Sequence, residues 1–205
     1  MLDLTLGNAL IKNTIESEET LSAGKMGMSE YRGISNLMMN QILTPNAELL
    51  HINAGVYPPT LKSFIQFRDT YLKSLDNMNV LAEWIQTPYG SYGMFFDQFA
   101  HVSKRVHARS LEPFYHEDPW SKTLEGKKVL VVSPFEESIR MQYKKRELLW
   151  KNKDILPEFE LDTIKTPFSA ALLDKPKFET WHDGLDYFRK VIEEKKPDFV
   201  IVGAG

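Results

Sequence analysis

The sequence predicts an α/β protein with a Rossmann-like, mostly parallel sheet and helices on both faces. The first observation is that, from residue 127 onwards, strand-like apolar runs alternate with amphipathic helices in the order β-α-β-α-β. This order is the half-unit of a doubly wound sheet with right-handed crossovers. The second is that residues 80–85 have apolar residues on both faces, as in a strand covered on both sides. The third is a helical N-terminal part that precedes the clear alternation.

The length and composition indicate one globular domain. A chain of 205 residues is long enough to bury one sizeable core, and 42% hydrophobic with 26% charged residues is an ordinary balance. We expect a single domain over residues 1–205, with a helix-rich part in 1–125 and the β-α-β-α-β half in 126–205. A formal net charge of -3 gives no general attraction to nucleic acid, so no nucleic-acid partner is predicted. The lack of cysteine excludes disulfides and thiolate metal sites.

The N-terminus carries no targeting signal that the sequence reveals. It has an acid at Asp3, no basic region and no continuous apolar stretch, so neither a secretory signal nor a membrane anchor is predicted. No other run approaches the roughly 20 apolar residues that span a bilayer. We therefore expect a cytoplasmic protein without a transmembrane segment.

The N-terminal part is predicted to contain three helices and two strands, from the spacing of apolar residues and from proline and glycine breaks. In chain order these are a helix at 4–18, a strand at 21–25, a helix that begins near Ser29 and is stopped by Pro45, a helix at 61–75 and a strand at 80–85. A loop at 87–93 leaves the end of the second strand, where α/β folds usually place ligand contacts.

The C-terminal half is predicted to contain three strands and two helices. In chain order these are a strand at 129–132, a helix that opens with a Ser133/Glu136 capping box and ends near Trp150, a strand at 159–164, a helix at 180–195 and a strand at 199–202. The second of these helices is expected to turn Leu185, Phe188, Val191 and Ile192 inward. Because the last strand ends in a glycine-rich turn with no helix after it, we expect the polypeptide to be truncated at its C-terminus.

Two strand ends are candidate anion sites. The last strand leads into Gly203-Ala204-Gly205, where missing side chains let backbone amides approach a phosphate. An equal alternative is a tight turn of any Rossmann-like sheet. Ser133 ends another strand before a helix N-terminus, although Ser133 and Glu136 are also explained as reciprocal caps.

The turn between the first strand and the second helix is a third candidate. It reads Lys25-Met26-Gly27-Met28-Ser29-Glu30 and places a lysine, a glycine and a carboxylate within reach of one another. Glu30 could act as a base, or hold a metal or a sugar hydroxyl. The alternative is a carboxylate that only complements the helix dipole.

Other groups predict less chemistry. Arg140 and Lys144 share a helix face and could meet a diphosphate, but a solvated face paired with Glu136 and Glu137 is the commoner case. The five histidines show no pair at metal-ligand spacing. No Gly-x-Ser-x-Gly elbow and no P-loop is present, so hydrolases and kinases of those types are excluded.

Several segments together resemble one family. Residues 21–30, Leu-Ser-Ala-Gly-Lys-Met-Gly-Met-Ser-Glu, resemble the Arg-Phe-Gly-Asp-Gly-Glu segment of GT-D-type glycosyltransferases, bacterial enzymes of surface glycan assembly. Residues 126–132, 166–169 and 198–205 are similar to the family's Gly-Lys-Lys-Val-Leu strand, its Asn-Ala-Phe-Ser segment and its penultimate strand with a glycine turn. Residues 115–135 also resemble uncharacterised proteins of capsule and polysaccharide gene sets. The similar segments occur in the family's order and span most of the chain.

The resemblance implies transfer of a sugar from a nucleoside diphosphate sugar, with a uridine diphosphate (UDP) sugar as the favoured donor, to a glycan hydroxyl. Within the motif, Lys25 replaces an arginine, Gly27 matches, Met28 stands at the aspartate position and Glu30 matches the glutamate. Glu30 is therefore the expected catalytic residue, as a base or a donor-binding carboxylate. The expected substrate-binding residues are Lys25, Gly27, Ser29, Ser133, Gly203 and Gly205. The family also implies a Mg or Mn ion, and a homo-oligomer is a further expectation.

Two other functions remain open on the sequence. Met28 in place of the aspartate is compatible with a noncatalytic module that binds a nucleotide sugar or a glycan. The terminal Gly-x-Gly is compatible with a Rossmann-like methyltransferase, although in methyltransferases that motif usually follows the first strand and here it follows the last.

Overall fold

The computed structural model describes residues 2–40, 42–83, 91–100, 103–168 and 177–203. Their helices are α1 (Leu4–Glu16), α2 (Met28–Asn40), α3 (Pro45–Ile52), α4 (Leu61–Leu75), α5 (Ser91–Phe99), α6 (Glu136–Tyr143), α7 (Arg146–Leu149) and α8 (Trp181–Lys195). Their strands are β1 (Ala23–Lys25), β2 (Val80–Glu83), β3 (Lys104–His107), β4 (Lys128–Ser133), β5 (Glu160–Lys165) and β6 (Phe199–Val202). Short 3-10 helices lie at Ala108–Leu111, Pro113–Tyr115, Trp120–Leu124 and Lys153–Ile155.

The predicted α/β class is confirmed, and the described strands form two parallel sheets of three strands each, in the orders β1-β2-β3 and β5-β4-β6. The chain divides into two compact units. The first unit comprises Met1–Gly27, Asp69–Glu125 and Trp150–Pro157, and the second comprises Met28–Arg68, Gly126–Leu149 and Glu158–Gly205. The class of protein that this fold defines is therefore Rossmann-like α/β, with one parallel sheet in each unit.

The first sheet is built around β2. All four residues of β2 are buried, as the apolar residues on both its faces predict. β1 and β3 pair with its two edges. Ile11 of α1 packs with Val80, Ala82 and Val106 in the core of this unit. The carboxylate of Asp3 accepts a hydrogen bond from the Leu6 amide at 2.8 Å, which caps α1 at its first turn.

Two predictions for the N-terminal part are wrong. Pro45 does not stop α2 but is the first residue of α3, with Thr44 as the N-cap. Proline fits this position because a backbone N–H there would have no partner within the helix. Of the predicted loop at 87–93, residues 91–93 begin α5, and residues 87–90 lie outside the described part. Strand β3 was not predicted.

The second sheet has helices on both faces, as predicted. In α8, Phe188, Val191 and Ile192 pack against Leu130, Val132 and Ile164. Thr163 lies next to Ile164 in β5, and its hydroxyl donates a hydrogen bond to the Glu136 carboxylate of α6 at 2.8 Å. Successive strand residues point to opposite faces, so α6 and α8 lie on opposite sides of the sheet.

Two details of these helices differ from prediction. Leu185 does not face inward, because 47% of its surface is exposed. The helix after β4 is not continuous to Trp150, since a turn at residues 144–145 separates α6 from α7.

Helix α8 begins with a capping box. The Thr180 hydroxyl accepts a hydrogen bond from the Asp183 amide at 3.2 Å, and the Asp183 carboxylate accepts one from the Thr180 amide at 3.0 Å. Replacing Thr180 with alanine is expected to lower the free energy of unfolding by about 1 kcal/mol, because one amide of the first turn loses its partner. Urea denaturation measures this loss. Thr180→Ser keeps the hydroxyl and is the control; equal losses in both variants would contradict the capping role.

The helical part of the second unit has its own core. Leu37, Ala47, Leu50 and Phe64 of α2, α3 and α4 are fully buried together with Val56.

The described part of the chain includes no helix that combines the length and the apolar character needed to cross a membrane.

Candidate functional site

In a parallel sheet, loops at the carboxyl ends of the strands usually carry the ligand contacts. In the first unit these ends are Lys25 of β1, Glu83 of β2 and His107 of β3. In the second unit they are Ser133 of β4, Lys165 of β5 and Val202 of β6. Lys25, Ser133 and Gly203 were predicted as site residues, and all three lie at or directly after such an end.

The predicted turn between the first strand and the second helix lies at the division between the units. Lys25 and Gly27 belong to the first unit, in which Lys25 is exposed and the intervening Met26 is fully buried. Ser29 and Glu30 belong to the second unit, in the first turn of α2.

The start of α2 differs in one respect from the prediction that Ser29 or a neighbour caps it. Helix α2 begins at Met28, so Ser29 is its second residue and not its cap. The Ser29 hydroxyl instead accepts a hydrogen bond from the Asn53 side-chain amide at 3.1 Å. This bond ties the first turn of α2 to the end of α3.

Glu30 keeps a carboxylate that nothing described engages. It lies in the first turn of α2 and is partly exposed. Among the described residues, none forms a hydrogen bond or an ion pair with its side chain. Met28, two residues earlier, exposes 37% of its surface; its thioether is a poor ligand for the hard cations Mg²⁺ and Mn²⁺.

Ser133 is buried, and its side chain forms a hydrogen bond within the turn that follows β4. Its hydroxyl accepts a hydrogen bond from the Phe135 amide at 3.2 Å, and the predicted capping box with Glu136 is wrong. Helix α6 begins at Glu136 with Phe135 at the N-cap and no side-chain cap. The Glu136 carboxylate accepts from Thr163 and Arg140 instead, because the neighbouring strand offers a hydroxyl within reach.

The backbone amide of Gly203 takes part in the pairing of the second sheet and is not free to bind a phosphate. Its amide donates to the Val132 carbonyl at 2.9 Å, so that amide is already used. An added Cβ at Gly203 would meet no atom of the described residues within 4 Å. Gly205, the second glycine of the predicted turn, lies outside the described residues.

The structure therefore brings Ser133 and Gly203 to one edge of the second sheet, since Gly203 bonds to the residue before Ser133. Glu30 lies in the same unit, on α2, which packs against α3.

The predicted basic face of α6 forms ion pairs. Arg140 bonds to Glu136 at 3.3 Å and to Asp162 at 3.5 Å. Asp162 also accepts from Lys195 at 2.7 Å, and this hydrogen bond is the main cause that lowers the pKa of Asp162. The ion-pair interpretation of the Arg140 face is thus the one observed.

The sequence reasoning missed a buried ion pair at the carboxyl end of the first sheet. The Glu83 side chain is 6% exposed and accepts two hydrogen bonds from Arg105, whose guanidinium also contacts Asp97 of α5. The hydrogen bond to Glu83 is the largest cause that raises the pKa of Arg105. The sequence did contain a signal for this pair, because Glu83 follows three apolar residues in the predicted buried strand. A buried charge is usually paired, so a basic partner could have been expected.

A cluster of exposed aromatic residues after β3 was also missed. Phe114 stacks on Trp150 with ring centroids 5.6 Å apart, and the Arg109 guanidinium lies 4.6 Å from the centre of the Tyr115 ring. His116 contacts the Arg109 carbonyl through Nε2 at 3.1 Å. The aromatic residues of this cluster are each at least 39% exposed, which makes it a surface with both stacking area and a cation.

Within the described ranges, no group of three or more histidine, aspartate or glutamate side chains is arranged to hold a metal ion. Comparison of the chain with protein-family models, with curated proteins and with solved structures finds no match in any of the three. The fold and the residues at the sheet edges are therefore the basis for a functional proposal.

Proposed function

We propose that this protein is a glycosyltransferase that transfers a sugar from a nucleoside diphosphate sugar to a glycan hydroxyl in polysaccharide assembly. The observation that carries the proposal is the uncommitted carboxylate of Glu30 in the first turn of α2, at the position where the GT-D-like segment has its glutamate. Support also comes from the parallel α/β sheets, which place loops at the strand ends where nucleotides usually bind.

In the proposed reaction the acceptor oxygen attacks the anomeric carbon of the donor sugar. The bond between that carbon and the diphosphate oxygen breaks, and the nucleoside diphosphate leaves with the bonding electrons. As a base, Glu30 takes the acceptor proton; as a donor-binding carboxylate, it accepts hydrogen bonds from sugar hydroxyls. Ser29 and Ser133, which lie in the same unit as Glu30, are the proposed donor-binding residues. The favoured donor is a UDP-sugar, and Mg or Mn is the proposed cofactor; such an ion would neutralise the negative charge of the leaving group.

Replacing Glu30 with alanine tests the proposal. With UDP-glucose and the other common UDP-sugars as donors and Mg²⁺ or Mn²⁺ present, we expect release of UDP to fall by about 10² to 10⁴-fold, the usual value of a general base. The melting temperature should stay within a few degrees, because the Glu30 side chain has no described partner to lose. An unaltered rate would sink the assignment.

Two further variants sharpen this test. Glu30→Gln keeps hydrogen bonding to a sugar hydroxyl but cannot take a proton, so a base role predicts loss of kcat, whereas a binding role predicts mainly a raised KM. Glu48→Ala is the matched control, since Glu48 lies in the first turn of α3 in the same unit and is exposed. It should leave both constants unchanged.

A second candidate function is a noncatalytic module that binds a nucleotide sugar or a glycan. The observation that favours it is Met28, which offers no oxygen ligand at the position of the motif aspartate. Binding of a UDP-sugar by the full chain without release of UDP would favour this candidate. A methyltransferase has less support, because the Gly203 amide is bonded within the sheet edge.

A further inference from the structure

Two neighbouring strands of the second sheet lead into the same kind of tripeptide. Ser133-Pro134-Phe135 ends β4, and Thr166-Pro167-Phe168 follows β5. The strands are paired in register up to Ser133 and Lys165, and the Thr166 amide donates to the Ser133 carbonyl at 3.3 Å. Both segments, each a hydroxyl residue, a proline and a phenylalanine, therefore lie side by side at the carboxyl edge of this sheet.

The two phenylalanine rings contact each other. The ring centroids of Phe135 and Phe168 are 5.3 Å apart with the planes tilted by 55°. Phe135 nevertheless exposes 55% of its surface. An aromatic ring that is fixed by a neighbour and still open on the rest of its surface can stack against a planar ligand.

The hydroxyl groups of Ser133 and Thr166 are buried, and that of Thr166 has no partner among the described residues. The Ser133 hydroxyl accepts from the Phe135 amide, but no described residue accepts its proton. Thr166 is 6% exposed, and its Oγ1 forms no hydrogen bond with any residue that the structure describes. Buried side-chain oxygens without a partner are rare in native proteins and are often explained by a bound group.

Thr163 provides a comparison for Thr166. Thr163 lies in β5, which ends just before Thr166; it is also 6% exposed, and it donates its hydroxyl proton to Glu136 at 2.8 Å. Within the described ranges, the buried threonine of β5 therefore has a partner, whereas the buried threonine that follows this strand at the carboxyl edge has none.

The charge at this edge does not favour a phosphate. Glu136 and Glu137 occupy the first turn of α6 and oppose an anion there. Glu136 pairs with Arg140 at 3.3 Å, and Glu137 pairs with Lys165 at 3.9 Å. These described charges therefore leave no surplus positive charge at the edge. A neutral, hydroxyl-bearing ligand with a planar part fits this balance better than a diphosphate does.

We propose that the paired segments 133–135 and 166–168 bind the nucleoside of the donor, with the base against Phe135 and a ribose hydroxyl at Thr166. This inference rests on the proposed function, because it assigns one part of the same donor to a subsite. Base stacking and a neutral hydrogen bond supply the affinity. The diphosphate then lies elsewhere along the donor site.

The test is calorimetric titration of the full chain with UDP, GDP, ADP and inorganic pyrophosphate. We expect at least one nucleotide to bind more tightly than pyrophosphate. Thr166→Val should weaken that nucleotide about tenfold, the effect of one lost hydrogen bond, and leave pyrophosphate binding unchanged. The melting temperature of Thr166→Val should equal or exceed that of the wild type, because the replaced hydroxyl has no partner in the part of the chain that the structure describes.

Thr163→Val is the matched control. It should lower the melting temperature, because Glu136 loses a donor, and keep the nucleotide Kd within about twofold, since the Thr163 hydroxyl is engaged inside the protein. The proposal is overturned if Thr166→Val binds the nucleotide as the wild type does, or if no nucleotide binds more tightly than pyrophosphate.

The subsite and the proposed function can fail separately. Sugar transfer that Thr166→Val leaves unchanged in KM would overturn the subsite while the glycosyltransferase proposal stands. Nucleotide binding that Thr166→Val weakens, in a chain that transfers no sugar, would support the subsite and count against the glycosyltransferase.

Discussion

Replacing Arg105 with alanine is expected to lower the free energy of unfolding by about 3–5 kcal/mol. The guanidinium of Arg105 donates two hydrogen bonds to the carboxylate of Glu83, one of them at 2.9 Å from Nη2. The Glu83 side chain is only 6% exposed, so the variant would leave a buried charge without its partner. Urea denaturation of both proteins, with unchanged m values, measures the loss.

Asp97 provides the matched control for this prediction. It contacts the same guanidinium, but its side chain is 68% exposed, so Asp97→Asn should cost less than about 1 kcal/mol. The double variant Glu83→Met with Arg105→Met removes both charges together and should be more stable than Arg105→Ala alone. A loss below about 1 kcal/mol in Arg105→Ala would show that Glu83 is not buried as described.

The strands that the sequence predicts well are those that contain a run of apolar residues. β2, β4 and β6 each contain such a run, and the structure has strands at these positions, although β6 is largely exposed. β3 reads Lys-Arg-Val-His, with three polar residues in four, so its apolar pattern is too weak to predict a strand. Its partner is β2, and the pairing depends on residues more than 20 positions away.

The candidate site divides in the same way between local and distant information. Local spacing correctly predicted that Glu30 lies in the first turn of a helix and that Ser133 ends a strand. It could not predict that the Gly203 amide bonds to Val132 or that Glu136 turns to Thr163, because both contacts join segments that are distant in sequence. Local spacing also could not predict that Thr166 is buried without a partner among the described residues, because this depends on how β4 and β5 pair.

Helix α2 contains an interior glycine, and the reason is its packing against α3. Glycine in the middle of a helix costs about 0.5–1 kcal/mol relative to alanine, so Gly33→Ala would stabilise an exposed helix. Here an added Cβ would lie 2.5 Å from Cγ and 2.8 Å from Cδ2 of Leu50. Leu50 is fully buried in the core of this unit, which leaves its side chain little room to move.

Gly33→Ala is therefore expected to destabilise the protein by about 1–3 kcal/mol, because overpacking outweighs the gain in helix propensity. The clash itself is measured by a double-mutant cycle with Leu50→Ala. That single variant leaves a cavity and should cost about 2–5 kcal/mol. The double variant should be at least about 1 kcal/mol more stable than the sum of the two losses predicts, since the new methyl group fills part of the cavity.

The same close approach affects Glu30, which lies three residues before Gly33 on α2. If α2 shifts to relieve the contact with Leu50, the Glu30 carboxylate shifts with it, and catalytic groups tolerate little displacement. UDP release by Gly33→Ala, measured well below its melting temperature, should therefore fall, and Leu50→Ala in the same chain should restore part of it. Additive stability changes in the cycle would show that α2 and α3 are not in the close contact that fixes the position of Glu30.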